Sequence, residues 1–204
     1  MSSGFESGGS EDSPGSNSES KQASLFVGYS VVNEANLEIQ RDLEEWSQIA
    51  ASNVEQAQTL PADSPLGLRI LSNARLIATI SEDILFEPEN FRGVRDLAGS
   101  LQAAATVIDR DDHLYLDYLA TAPWNVTRNS PLCVRESATA LVVELVKESV
   151  GSGYKGRIIV NAVAGSSPFY ERIGFVATGF GSVGAPEMEL TSEVAKRLLV
   201  KYGV

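Results

Sequence analysis

Along the 204-residue chain the apolar positions change period several times, and each change marks a predicted element. Leu25 to Val32 is apolar and β-branched, as a short strand would be. The period then lengthens: Ile39, Leu43, Trp46, Ala50, Val54 and Ala57 share one helical face, while Arg41, Glu44 and Gln48 fall opposite. This predicts an amphipathic helix of about six turns with Asn33 or Asn36 as its N-cap. Pro61, Pro65 and Gly67 read as loop punctuation. Between Leu68 and Phe86 apolar residues are dense and the period is mixed, with Leu76 to Ile80 the best strand segment. Pro88 to Gly93 reads as a turn.

Leu101 to Ile108 predicts a strand ending in the charged corner Asp109-Arg110-Asp111-Asp112, and His113 to Leu119 a second strand antiparallel to it. After Pro123 a loop leads to a helix from Cys133 to Val150, with Ala138, Leu141, Val142, Leu145 and Ser149 along one stripe and Gly151 and Gly153 ending it. Arg157 to Val163 is a compact run of Ile, Val and Ala, the pattern of a strand covered on both faces. Strand, helix, strand in that order implies a crossover that sets two strands in one sheet. A short helix over Pro168 to Ile173, a strand over Phe175 to Thr178, a glycine-rich connection, a strand over Glu187 to Leu190 and a final helix from Ser192 to Tyr202 complete an α/β pattern.

Composition changes this picture at one end. Met1 to Ala23 is built of Ser, Gly and acidic residues, which cannot bury enough apolar surface to offset the entropy of ordering. Residues 1–23 are therefore expected to be a disordered tail, and 24–204 one domain. With 43% hydrophobic and 21% charged residues the body has the balance of a soluble globular protein.

Sixteen basic against 27 acidic residues give a net charge of −11, which opposes non-specific binding to nucleic acid or an anionic lipid surface. A cationic or amine-bearing partner fits that charge better. Cys133 is the only cysteine and His113 the only histidine, which excludes an internal disulfide, a cysteine-built zinc site and any site needing several histidines. No metal is expected, and a reducing, cytoplasmic setting is the default. No apolar run reaches the roughly 18 residues of a membrane span, and the N-terminus carries no export pattern.

Chemistry concentrates in the second half. Ser167-Pro168-Phe169-Tyr170-Glu171-Arg172-Ile173-Gly174-Phe175 follows the run Ile158-Ile159-Val160-Asn161-Ala162-Val163. Phe169 and Ile173, four apart, would pin a short helix to the core, Gly174 would permit a left-handed turn, and Tyr170 would then point away from the core face. Upstream, Arg135-Glu136-Ser137-Ala138-Thr139-Ala140 is a small-residue helix start, where unpaired N–H groups and the helix dipole can meet an anion. Asp117 is a carboxylate in the middle of an apolar strand. Alternation puts it on one face with Tyr115 and Leu119, and Leu114, Leu116 and Tyr118 on the other. Partial burial would raise its pKa and suit a general base, though a hydrogen-bonded structural aspartate fits the same pattern.

These segments resemble the GNAT acetyltransferases. Phe169-Tyr170 with Gly174-Phe175 matches the signature after that family's fifth strand. Arg135 and Ala140 match its pyrophosphate loop, where Ala138 replaces the usual glycine, and Val163 and Ser166 stand where asparagine and alanine are usual. The resemblance implies a mixed, mostly antiparallel sheet with helices on both faces and a cleft where the fourth and fifth strands splay. Acetyl-CoA would be the co-substrate and a primary amine, on a small molecule or a peptide, the acceptor. It implies further that Arg135, Ser137, Ala138, Thr139 and Ala140 hold the pyrophosphate, that Leu119 and Thr121 offer backbone groups to the pantetheine arm and thioester, and that Asn161 adds a contact. Tyr170 would protonate the departing thiolate and Asp117 would take the amine's proton. A homodimer is compatible with the family. The alternative is a non-catalytic acyl-CoA-binding or interaction module of the same fold.

Overall fold

A computed structural model describes residues 28–127, 130–163 and 165–203. The expected tail, and Leu25 to Val27 of the first expected strand, lie outside the described residues. Seven strands form one sheet in the order β1-β2-β3-β4-β5-β7-β6. They are β1 (Ser30–Val32), β2 (Phe91–Arg95), β3 (Leu101–Asp109), β4 (Leu114–Thr121), β5 (Ile158–Asn161), β6 (Val176–Ser182) and β7 (Ala185–Leu190). All neighbouring pairs are antiparallel except β4 and β5, which run parallel. No described helix is long and apolar enough to cross a membrane.

Helices cover both faces. On one side α1 (Leu37–Ala57), α2 (Pro65–Asp83) and α3 (Pro123–Thr127) enclose a core of Ile39, Leu43, Trp46, Ile77, Ile80, Phe91 and Ala104. On the other, α4 (Ser137–Gly151), α5 (Ser167–Ile173) and α6 (Ser192–Tyr202) cover Val107, Leu114, Leu116, Val160 and Leu190. The α1 stripe reads true: Ile39, Leu43 and Trp46 are fully buried, each contributing on the order of 2 kcal/mol by leaving water. Asn36 is the N-cap, its Oδ1 accepting from the N–H groups of Glu38 and Ile39, both at 3.0 Å.

Four expectations are corrected. The segment around Leu76 to Ile80 lies in the second half of α2, not in a strand; Pro65 and Gly67 lie in its first turn, with Ser64 as N-cap. Proline is at home there because its missing N–H would be unpaired anyway. The turn expected at Pro88–Gly93 is a 3₁₀ turn, Pro88–Asn90, leading straight into β2. The helix expected from Cys133 begins at Ser137, after the separate short helix α3. The glycine-rich connection is part of β6, whose pairing with β7 skips register between Ala177 and Gly181.

Candidate active site

The sheet opens where β4 parts from β5. Their pairing joins Leu114, Tyr115 and Leu116 to Ile158, Ile159 and Val160 and extends no further. At that point β4 also carries a bulge: Thr106 faces Tyr118 and Val107 faces Leu116, leaving Asp117 as the extra residue. The bulge inverts the alternation read from the sequence. Leu114 and Leu116 belong to the α4 side, and Leu119 joins them, whereas Tyr118 and Ala120 pack on the α1–α2 side. Simple period-two reading placed Tyr118 and Leu119 on the wrong faces because it counts no extra residue.

Beyond the bulge, Ala122 donates its N–H to the Gln102 carbonyl at 3.1 Å. Antiparallel alternation therefore turns the peptide groups of Leu119 and Thr121 away from β3, toward the gap left by β5. Thr121 is already occupied there. Its N–H donates to Asn73 Oδ1 at 3.1 Å and its carbonyl accepts from Asn73 Nδ2 at 2.9 Å, so its N–H, expected to be free for a donor molecule, is already paired. Leu119 remains the residue whose peptide groups face the gap.

At the far end of the β4–α4 connection lies a helix terminus with uncapped donors. Glu136 has φ of 66°, and its side chain makes no cap bond. The first helical bond is Ala140 N–H to the Glu136 carbonyl, 2.8 Å, leaving the N–H groups of Ser137, Ala138 and Thr139 without a partner among the described residues. Ser137, Thr139 and Ala140 are buried and Ala138 is half-buried, while Arg135 and Glu136, of opposite charge, are exposed beside them. Aligned helix peptides favour an anion at such a terminus.

Tyr170 sits differently from its expected place. It is 5% exposed, within the α4-side core, its ring 5.1 Å from that of Phe169 and 5.2 Å from that of Phe175. Tyr170 and Ile173, three apart, share the core face of α5, and Phe169 lies half-buried at its rim beneath the Arg172 guanidinium. The Tyr170 hydroxyl has no hydrogen-bond partner among the described residues, and burial raises its pKa well above the ordinary phenol value. Gly174 closes α5 with φ of 116°; a Cβ there would stand 2.5 Å from Val194 Cγ1, so no other residue fits the turn.

Asp117 is half-buried, and its pKa is raised first by burial, then by the Asp83 carboxylate; Arg110 pulls it down and Glu87 pushes it up again. Two phenols flank it. Tyr115 is raised by burial and then by Asp117, and Tyr118 by Asp117 and then by burial. Asn161, within the run read as covered on both faces, is exposed at the end of β5, where its Nδ2 donates to the Tyr115 hydroxyl at 2.8 Å. The sequence reading passed over Asn73 and Asp83, since both lie on the helix it took for mixed structure. It also passed over Tyr115 as a partner of Asn161, a contact between strands that no local pattern announces. Among the described residues, no three of His, Cys, Asp and Glu gather as a metal site.

No family model matches the chain, and no curated protein sequence matches it. Solved structures do. A PaiA N-acetyltransferase from Thermoplasma acidophilum in complex with coenzyme A superposes with a TM-score of 0.52, at 14% identity, over 79% of this chain and 97% of that one. Ard1 from Thermoplasma volcanium gives a TM-score of 0.47 at 15% identity over 80% and 97%, and a GNAT-family acetyltransferase from Listeria monocytogenes 0.47 at 12% over 79% and 94%. The chain has the GNAT acyltransferase fold.

Proposed function

We propose that the chain transfers an acyl group, by default acetyl, from acyl-CoA to a primary amine by direct attack. The observation that carries this reading is the conjunction of an open β4–β5 gap, faced by the Leu119 peptide, with an uncapped α4 N-terminus. The fold supports it, because the Thermoplasma acidophilum neighbour is an N-acetyltransferase holding coenzyme A.

In this reading the donor's pyrophosphate rests on the N–H groups of Ser137, Ala138 and Thr139, with the small Ala140 closing that turn and Arg135 adding charge. The Ala138 methyl limits how closely the backbone approaches. The pantetheine arm runs along Leu119, with Asn161 across the gap. One N–H at Leu119 aimed at the developing oxyanion stabilises the tetrahedral intermediate. The half-buried Asp117, with its elevated pKa, accepts the amine's proton, and the surrounding carboxylates Asp83, Glu87 and Glu187 favour a cationic acceptor. Tyr170, protonated at every physiological pH, donates its proton to the leaving thiolate.

A second reading draws on one observation. Tyr170 is enclosed among Phe169 and Phe175, as a packing residue would be, and this favours a non-catalytic acyl-CoA-binding module. The two separate in one assay, thiol release from acetyl-CoA across a panel of primary amines. Amine-dependent release supports transfer; CoA binding with no release from any amine, beyond hydrolysis, supports the module.

A further inference from the structure

Resting on the acyl-CoA reading, we propose that Asn125 is the positioning residue of the donor's pyrophosphate site. It does not face the donor; it sets the chain from which the α4 N–H groups emerge.

The Asn125 carboxamide is used in full. Its Oδ1 accepts from the Val134 N–H at 2.8 Å, and its Nδ2 donates to Ser137 Oγ at 3.3 Å and to the Gln102 carbonyl and Oε1 at 3.2 and 3.0 Å. Gln102, 1% exposed, is itself fixed: its Oε1 accepts from Trp124 Nε1 at 3.1 Å and its Nε2 donates to Asp96 Oδ2 at 2.8 Å. Donors and acceptors match at every contact, so the amide has one orientation and the network one arrangement.

What this network holds is the strained corner before α4. Glu136 lies in the left-handed region with no side-chain cap, and a non-glycine residue stays there only when its surroundings over-determine it. Asn125 secures Val134 and Ser137, two residues before it and one after. Tyr29 secures the residue between, its hydroxyl donating to the Arg135 carbonyl at 3.2 Å. With those anchors the N–H groups of Ser137, Ala138 and Thr139 are presented in one direction before any ligand arrives.

Asn125 reaches the gap end of the site only indirectly, through Gln102, whose carbonyl also accepts from the Ala122 N–H. β4 is held there by its ladder with β3 and by Asn73 at Thr121. Loss of Asn125 therefore loosens the anion end far more than the gap end, which a general loss of packing would not do.

The test compares CoA with pantetheine, which lacks the nucleotide and its pyrophosphate, in protein-observed NMR titrations that reach millimolar ligand. Asn125→Ala and Asn125→Ser are both carried, the serine variant leaving a smaller void. Misplacing a preorganised binding group costs on the order of 10- to 100-fold. CoA affinity should fall by about that factor in either folded variant, while pantetheine affinity stays within about twofold of wild type. Equal weakening of both ligands, or unchanged CoA affinity, overturns the proposal. Failure of the wild-type protein to bind CoA at all is a different result, and it removes the acyl-CoA reading itself.

Discussion

The side-chain amide of Asn73 stands in for a missing strand at Thr121. Where β5 has parted from β4, Asn73 supplies the donor and acceptor that a neighbouring backbone would have offered, at 2.9 and 3.1 Å. A sheet can open only if the exposed edge is satisfied by water, ligand or side chain. Asn73 thus ends the opening at Thr121 and confines the unpaired edge of β4 to the residues around Leu119.

Asn73→Leu should leave that N–H and carbonyl unpaired beneath α2. Orphaning buried polar groups costs about 1–3 kcal/mol, a fall of several degrees in melting temperature for a chain of this size. Calorimetry or a thermal melt measures it. An unchanged melting temperature would show that water replaces the amide without loss.

Asp117 predicts a pH dependence of stability. Its folded pKa is raised above the ordinary aspartate value of 3.8. The folded state therefore holds this proton more tightly, and its contribution is present below that value and lost as pH rises through the elevated pKa. At neutral pH the ionised group costs stability. Asp117→Asn should melt higher than wild type near pH 7, and the difference should disappear on acidification below about pH 4. If Asp117 is the base, the same variant loses about 10²- to 10⁴-fold in transfer.

Tyr170 should likewise separate stability from activity. Tyr170 is 5% exposed and its hydroxyl bonds to no described residue, so Tyr170→Phe should melt at the wild-type temperature or slightly above it. Transfer should fall by about 10²- to 10⁴-fold, in kcat rather than KM, and less with a donor whose thiol leaves readily unprotonated. Wild-type turnover in the Phe variant would assign Tyr170 to packing alone.

Ala138→Gly should act in two directions. Glycine in a helix costs about 1 kcal/mol, so the free protein should melt a few degrees lower. Without the methyl the backbone approaches the pyrophosphate more closely, so CoA should produce a larger upward shift than in wild type. A smaller shift would mean that the alanine does not crowd the donor.

Which of these residues could be read from the sequence follows from how local their signals are. The α1 face and the Tyr170–Gly174–Phe175 segment were legible because helical spacing and a turn glycine are written in neighbouring positions. α2 was not: Ile70, Ile77 and Ile80 are β-branched, and Pro65 with Gly67 imitates a loop, so tertiary burial decided against propensity. β2 was hidden because Arg92 and Arg95 interrupt it, and their partners, Glu148 and Asp42, lie on helices far off in sequence. The bulge at Asp117 and the inward turn of Tyr170 escaped for a related reason. Both are settled by register, one across the sheet and one along α5, and a one-residue difference exchanges faces.

The most direct test of the central claim is the melting temperature of the full chain with and without CoA. A ligand that binds only the folded state at one hundred times its Kd adds about 2.7 kcal/mol, which for a chain of this length raises melting by roughly 5–10 °C. The acyl-CoA reading predicts such a rise at millimolar CoA, reduced when the nucleotide half is absent. No shift at millimolar CoA or acetyl-CoA would contradict it, and would leave the GNAT fold here without the ligand its open sheet is proposed to hold.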